Sequence, residues 1–134
     1  MFEHLIELKG VTKTFDTTDA LSNVDLYIDR NEFLTLLGPS GCGKSTLLRI
    51  IAGFEHPTEG TVLFEGKDLS PVPPYQRKVN TVFQKYALFP HMNVYDNIAF
   101  GLKIQKKDKK EIDREVGRVL ELVNLKGFAP RSVG

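Results

Sequence analysis

Eight consecutive residues, Gly38-Pro39-Ser40-Gly41-Cys42-Gly43-Lys44-Ser45, restrict what this chain can fold into more than any other feature. They fit the pattern G-x-x-x-x-G-K-[ST], a loop set between a strand and a helix whose backbone cradles phosphate groups. The flanks agree with that placement. Residues 33–37 are almost continuously apolar, as in a strand of a parallel sheet covered on both faces. Residues 44–52 hold neither Gly nor Pro and are stopped by Gly53, a natural helix C-terminal residue. Strand, glycine loop and helix is the predicted order.

Each residue type in the loop has a physical task. Gly38, Gly41 and Gly43 let the backbone curl around a polyphosphate and turn its N–H groups inward, and the helix that follows adds positive potential from its N-terminus. Pro39, Ser40 and Cys42 complete the loop, which acts through backbone N–H groups, so any small residue would serve at position 42. Lys44 brings a mobile positive charge for the β- and γ-phosphates of ATP. Ser45 offers a hydroxyl to Mg²⁺, an ion that keeps most of its octahedral shell as water and phosphate oxygen. Thr46 is placed for the α-phosphate. A glycine turn that merely caps a helix does not explain a lysine and a hydroxyl residue together at the first helical turn.

Outside the loop, two regions differ in character. Leu5 to Lys9 reads as a strand, and Val24, Leu26 and Ile28 alternate with Asp25, Tyr27 and Asp29, the period-two pattern of a sheet with one wet face. This opening region is predicted to be antiparallel, joined by a short strand at 61–65 after the turn chemistry of Pro57 and Gly60. Pro71, Pro73 and Pro74 mark an irregular connection before a second apolar strand at 79–83. The last third is helical: Ile112, Val116, Val119, Leu120 and Val123 share a face, Asp108 with Glu111 makes an N-terminal cap, and Gly117 weakens the helix. The lysines at 103, 106, 107, 109 and 110 read as a solvated approach to it.

A chain of 134 residues is one ordinary domain, and 41% hydrophobic with 26% charged residues is too apolar for disorder. A net charge of +1 gives no reason to expect a nucleic-acid partner. The lone Cys42 fits a reducing compartment, and no apolar stretch reaches the roughly 20 residues a bilayer requires, so direct lipid insertion is not expected. His4, His56 and His91 lack metal-ligand spacing.

Three further segments carry a family resemblance. Glu32-Phe33-Leu34-Thr35-Leu36-Leu37, Leu47-Leu48-Arg49-Ile50-Ile51-Ala52-Gly53 and Val82-Phe83-Gln84-Lys85-Tyr86-Ala87-Leu88-Phe89-Pro90-His91 resemble the ATP-binding subunits of ABC importers. Val79-Asn80-Thr81-Val82-Phe83-Gln84 with Ala99-Phe100-Gly101-Leu102 is most similar to the polyamine (spermidine and putrescine) branch, although maltose, sulfate and iron importer subunits share most of these segments. The resemblance implies an α/β P-loop NTPase of the ABC ATPase type: a parallel-strand core, an N-terminal antiparallel β subdomain and the start of a helical subdomain. It divides residues 1–134 into an antiparallel and P-loop region to about residue 85 and a Q-loop and helical region from about 85 to 134.

Residue by residue, the resemblance makes Gln84 the Q-loop glutamine that contacts Mg²⁺ or the attacking water. Otherwise Gln84 reads as a strand-end amide. It makes Phe15 the aromatic that stacks on adenine, where the residues alone allow a core Phe equally well. The segment from Tyr86 to His91 becomes the surface that receives the transmembrane permease subunits, against local packing as the alternative. The implied partners are a second ATP-binding subunit and the permease, at the cytoplasmic face of the membrane. The residues at which the family carries its signature motif, the strand ending in Asp-Glu and the switch His are not found before Gly134. The chain is therefore expected to be an N-terminal portion that holds nucleotide contacts without the hydrolytic centre, and to self-associate, be partly disordered or exchange strands because an apolar edge and face are left uncovered. A free-standing phosphate-loop kinase shares the loop but not the Gln84 to His91 segment.

Overall fold

The computed structural model describes residues 3–39, 41–83, 85 and 87–133. They form two compact units, residues 1–81 and 82–134. In the first, β1 (Ile6–Phe15) and β2 (Thr18–Ile28) make an antiparallel hairpin, β3 (Glu59–Phe64) flanks β1 on its other side, and the short β4 (Lys67–Asp68) lies beyond, in the order β2-β1-β3-β4. Register sets Leu8 opposite both Leu26 and Val62. Val24, Leu26 and Ile28 are half-buried while Asp25, Tyr27 and Asp29 are exposed, the expected alternation. The hairpin turns at Asp16, whose φ of 53° is a left-handed conformation that Asp tolerates.

Helix α1 (Lys44–Ala52) covers this unit's core with Leu47, Ile50 and Ile51, packed with Ile6, Leu8, Val11, Leu21, Val62 and Leu69. Burying each of the larger side chains contributes about 1.5–3 kcal/mol. The helix occupies the predicted residues and ends at Gly53, φ 92°, whose N–H donates to Arg49 O and Ile50 O. A 3₁₀ turn, Pro74–Gln76, follows the proline cluster.

The two segments predicted to seed the parallel core differ from expectation. Neither 33–37 nor 79–83 joins a strand among the described residues, and Phe33 and Leu37 are 95% and 89% exposed. A parallel strand needs a neighbour delivered by a crossover connection, whereas the four strands present are satisfied by antiparallel pairing. Only Leu36 and Val79 of these segments rest against the core.

The second unit holds α2 (Val94–Ile104) and α3 (Lys109–Leu122), each started by a side-chain cap: Asn93 accepts from Asp96 N, and Asp108 from Glu111 N, both at 2.8 Å. Ala99, Ile112, Val116 and Leu120 form its core. Val119 is half-buried, but Val123 is the C-cap and lies 54% exposed, because the helix stops before returning it to the predicted face. Asn97 donates to Phe89 O, Met92 O and Asn93 O and accepts from Phe89 N, so one amide ties residues 89–93 to α2. Among the described residues no helix is long and apolar enough to cross a membrane.

Candidate phosphate-binding site

Helix α1 begins unusually bare. Its N-cap is Gly43, which offers no side-chain acceptor, and its first turn has no acidic residue. Such a start leaves first-turn N–H donors and the positive end of the helix dipole free for an external anion. The glycine is compelled by space as well as by its φ of 95°: a Cβ there would lie 2.4 Å from Ala20 O and 2.8 Å from Leu21 Cδ2. Strand β2 thus fixes the junction of loop and helix from one side.

The loop closes on its own lysine. Lys44 Nζ donates to Gly38 O and, at 3.2 Å, to Pro39 O, while Cys42 N donates to Pro39 O at 3.3 Å. Both acceptors of the ammonium are neutral carbonyls, and an anionic phosphate oxygen is a stronger acceptor for its three protons. A Cβ at Gly38 would come within 2.6 Å of Cys42 Sγ, so positions 38 and 42 constrain each other although the cysteine itself is exposed. Ser45 is exposed and Thr46 half-buried at the start of the helix. This donor set, cation plus open amides, fits a polyphosphate. A single hydroxyl suits Mg²⁺, which takes few protein ligands, and among the described residues no cluster of three or more His, Cys, Asp or Glu competes as a metal cage.

Phe15 ends β1, opposite Thr18, and Thr18 lies two residues before the Ala20 carbonyl that abuts Gly43. One hairpin therefore carries both the candidate stacking ring and the wall of the loop. The ring is 44% exposed, with Lys13 Nζ 5.0 Å from its centroid, and Lys13 is also paired with Glu55 at 3.0 Å. The ring therefore lies partly in solvent with a cation over it, outside the buried core.

Ser40, Gln84 and Tyr86 lie outside the described residues. In the segment 86–91, Leu88 is 54% exposed, whereas Phe89 is half-buried and packs on Phe100 at 4.5 Å and on His91 at 6.1 Å between ring centroids. His4 bonds Asp29 and stacks on Tyr27 in β2, away from any metal-type cluster.

Arg77 is a residue that the sequence alone does not single out. Among the described residues it is the buried charged one, and its guanidinium donates to Val72 O, Ile50 O, Ile51 O and Leu69 O at 2.8–3.1 Å. Burial pushes its pKa down, opposed by the charge of Asp68. An isolated arginine after a proline cluster carries no periodic signal that would mark it.

The ABC transporter family model matches residues 21–134. The chain belongs to the ABC transporter family. It is 63% identical over 133 residues to the spermidine/putrescine import ATP-binding protein PotA of Desulfitobacterium hafniense (strain Y51), covering 99% of this chain and 38% of the relative. To the protein of the same name in Clostridioides difficile (strain 630) it is 60% identical, with the same coverage. Among solved structures it superimposes on a dimeric bacterial ABC transporter cassette with a TM-score of 0.82 and 31% identity, covering 95% of this chain and 61% of that one. A dimeric post-hydrolysis state of that cassette, bound to ADP and Pi, gives 0.75 and 28%, covering 96% and 61%. The chain thus spans about 38% of the length of these curated relatives.

Proposed function

We propose that this chain carries the ATP seat of the ATP-binding subunit of an ABC importer, and that the importer takes up polyamines. The observation that carries the reading is the bare N-terminus of α1 with Lys44 folded into its glycine loop. The function named for the 63% and 60% identical relatives, and the ADP and Pi bound by a structural neighbour, support the nucleotide and the solute class.

In this reading the amides at 41–46 and the Lys44 ammonium hold the β- and γ-phosphates, and Phe15 stacks on adenine. Ser45 and Gln84 would hold Mg²⁺, which neutralises charge on the phosphates when bound. Phosphoryl transfer to water is mainly a matter of position and charge, and the family resemblance implies a carboxylate at a strand end to orient the water. The chain spans about 38% of the length of its curated relatives, and the proposal gives it nucleotide binding and gives turnover to the whole subunit paired with a second copy. Exposed Leu88 and its neighbours supply the contact with the permease at the cytoplasmic face of the membrane. Phosphate release from MgATP tests the division: this chain alone is expected to stay at background, and turnover well above it would overturn the assignment.

A further inference from the structure

Among the described residues, the first unit buries one cation, Arg77, and sets no carboxylate within ion-pair distance of it. Asp68 acts on it only through its charge, without a direct ion pair, and a buried guanidinium so placed is costly unless its protons meet strong acceptors. Here the acceptors are backbone carbonyls, and two of the four, Ile50 O at 2.9 Å and Ile51 O at 3.1 Å, belong to the last turn of α1. That turn is the negative end of the dipole whose positive end forms the phosphate seat. The other two, Leu69 O and Val72 O, fasten the same guanidinium to the segment after β4. Packing leaves it no slack: a Cβ on the helix cap Gly53 would fall 2.7 Å from Arg77 Nε and 2.8 Å from Cζ.

We infer that Arg77 is a positioning residue for nucleotide binding, clamping the C-terminal end of α1 so that its N-terminal amides and Lys44 are held in register against β2. The inference rests on the proposed ATP seat. Helix α1 has only nine residues, about 13 Å, too short to absorb a tilt along its length. At its front, Gly43 already sits against Ala20 O without room for a Cβ. A shift at the clamped end therefore reaches the loop as a change in where the amides point.

The test uses the 134-residue chain with two probes, MgATP and AMP, which share adenine and ribose but differ in the phosphates that reach the seat. Arg77→Gln removes the fork, and Arg77→Lys keeps the charge with fewer directed donors. Circular dichroism fixes a temperature at which each variant is folded. Arg77→Gln is expected to weaken MgATP about tenfold while AMP changes less than about twofold, with Arg77→Lys between Gln and wild type. Unchanged MgATP affinity in a folded variant, or MgATP and AMP falling together, overturns the clamp. Should Arg77→Gln not fold, Arg77→Lys alone decides by the same comparison. A wild-type chain that binds MgATP no better than AMP would instead overturn the seat itself, and the inference with it.

Discussion

His4 shows how one side chain couples this fold to pH. Its hydrogen bond with Asp29 holds its pKa above the ordinary value, aided by the charges of Asp29, Glu3 and Glu7 and opposed by partial burial. A pKa raised on folding contributes stability that is fully present below the unfolded value, about 6.5, and is lost as pH rises through the folded one. The melting temperature of wild type over His4→Gln is therefore expected to be larger at acid than at alkaline pH, and equal gaps at both would contradict the assignment. Legibility varies at this scale for a physical reason. Lys44 and Gly43 are readable because a phosphate loop needs those residue types at that spacing, and Gly43 has no room for anything else. Arg77 is not, because two of the four carbonyls it meets, Ile50 O and Ile51 O, come from a helix 26–27 residues earlier in the chain.

Elements are readable where their signals are local. Helix α1 occupies the residues predicted between Lys44 and Gly53, and α3 starts at the predicted Asp108 cap, since breakers and caps act within one turn. Helix α2 is not marked out as a separate helix by the sequence reading, although Asn93 and Asp96 carry the same kind of cap signal. Strands at 33–37 and 79–83 do not form because a ladder depends on a partner, which apolarity alone does not supply. Hairpin β1–β2 also runs to Phe15, six residues past the predicted strand end at Lys9, held by cross-strand pairing through Phe15 and Thr18. Gly117 belongs to this scale: it is exposed in mid-helix, and a Cβ added there would meet nothing within 4 Å. Gly117→Ala is expected to stabilise the second unit by about 1 kcal/mol in denaturant melts, and a loss of stability would contradict the open site described.

At the scale of the molecule, two units each bury a core of their own, while large apolar side chains stay in solvent. Phe33 and Leu37 in the first unit and Val82 in the second are 95%, 89% and 94% exposed. Exposure of that kind, with an unpaired segment beside it, favours association. Light scattering on this chain is expected to show species larger than a monomer, reduced by Phe33→Ser with Leu37→Ser, whereas a strictly monomeric chain would contradict the expectation. The same scale holds the functional claim, since a strand wall, a glycine loop and a clamped helix meet at one junction. The most direct measurement is the affinity of this chain for MgATP by calorimetry, beside Lys44→Ala. Saturable binding that the substitution weakens by about tenfold or more is the expected result; equal affinity in the two proteins would contradict the account.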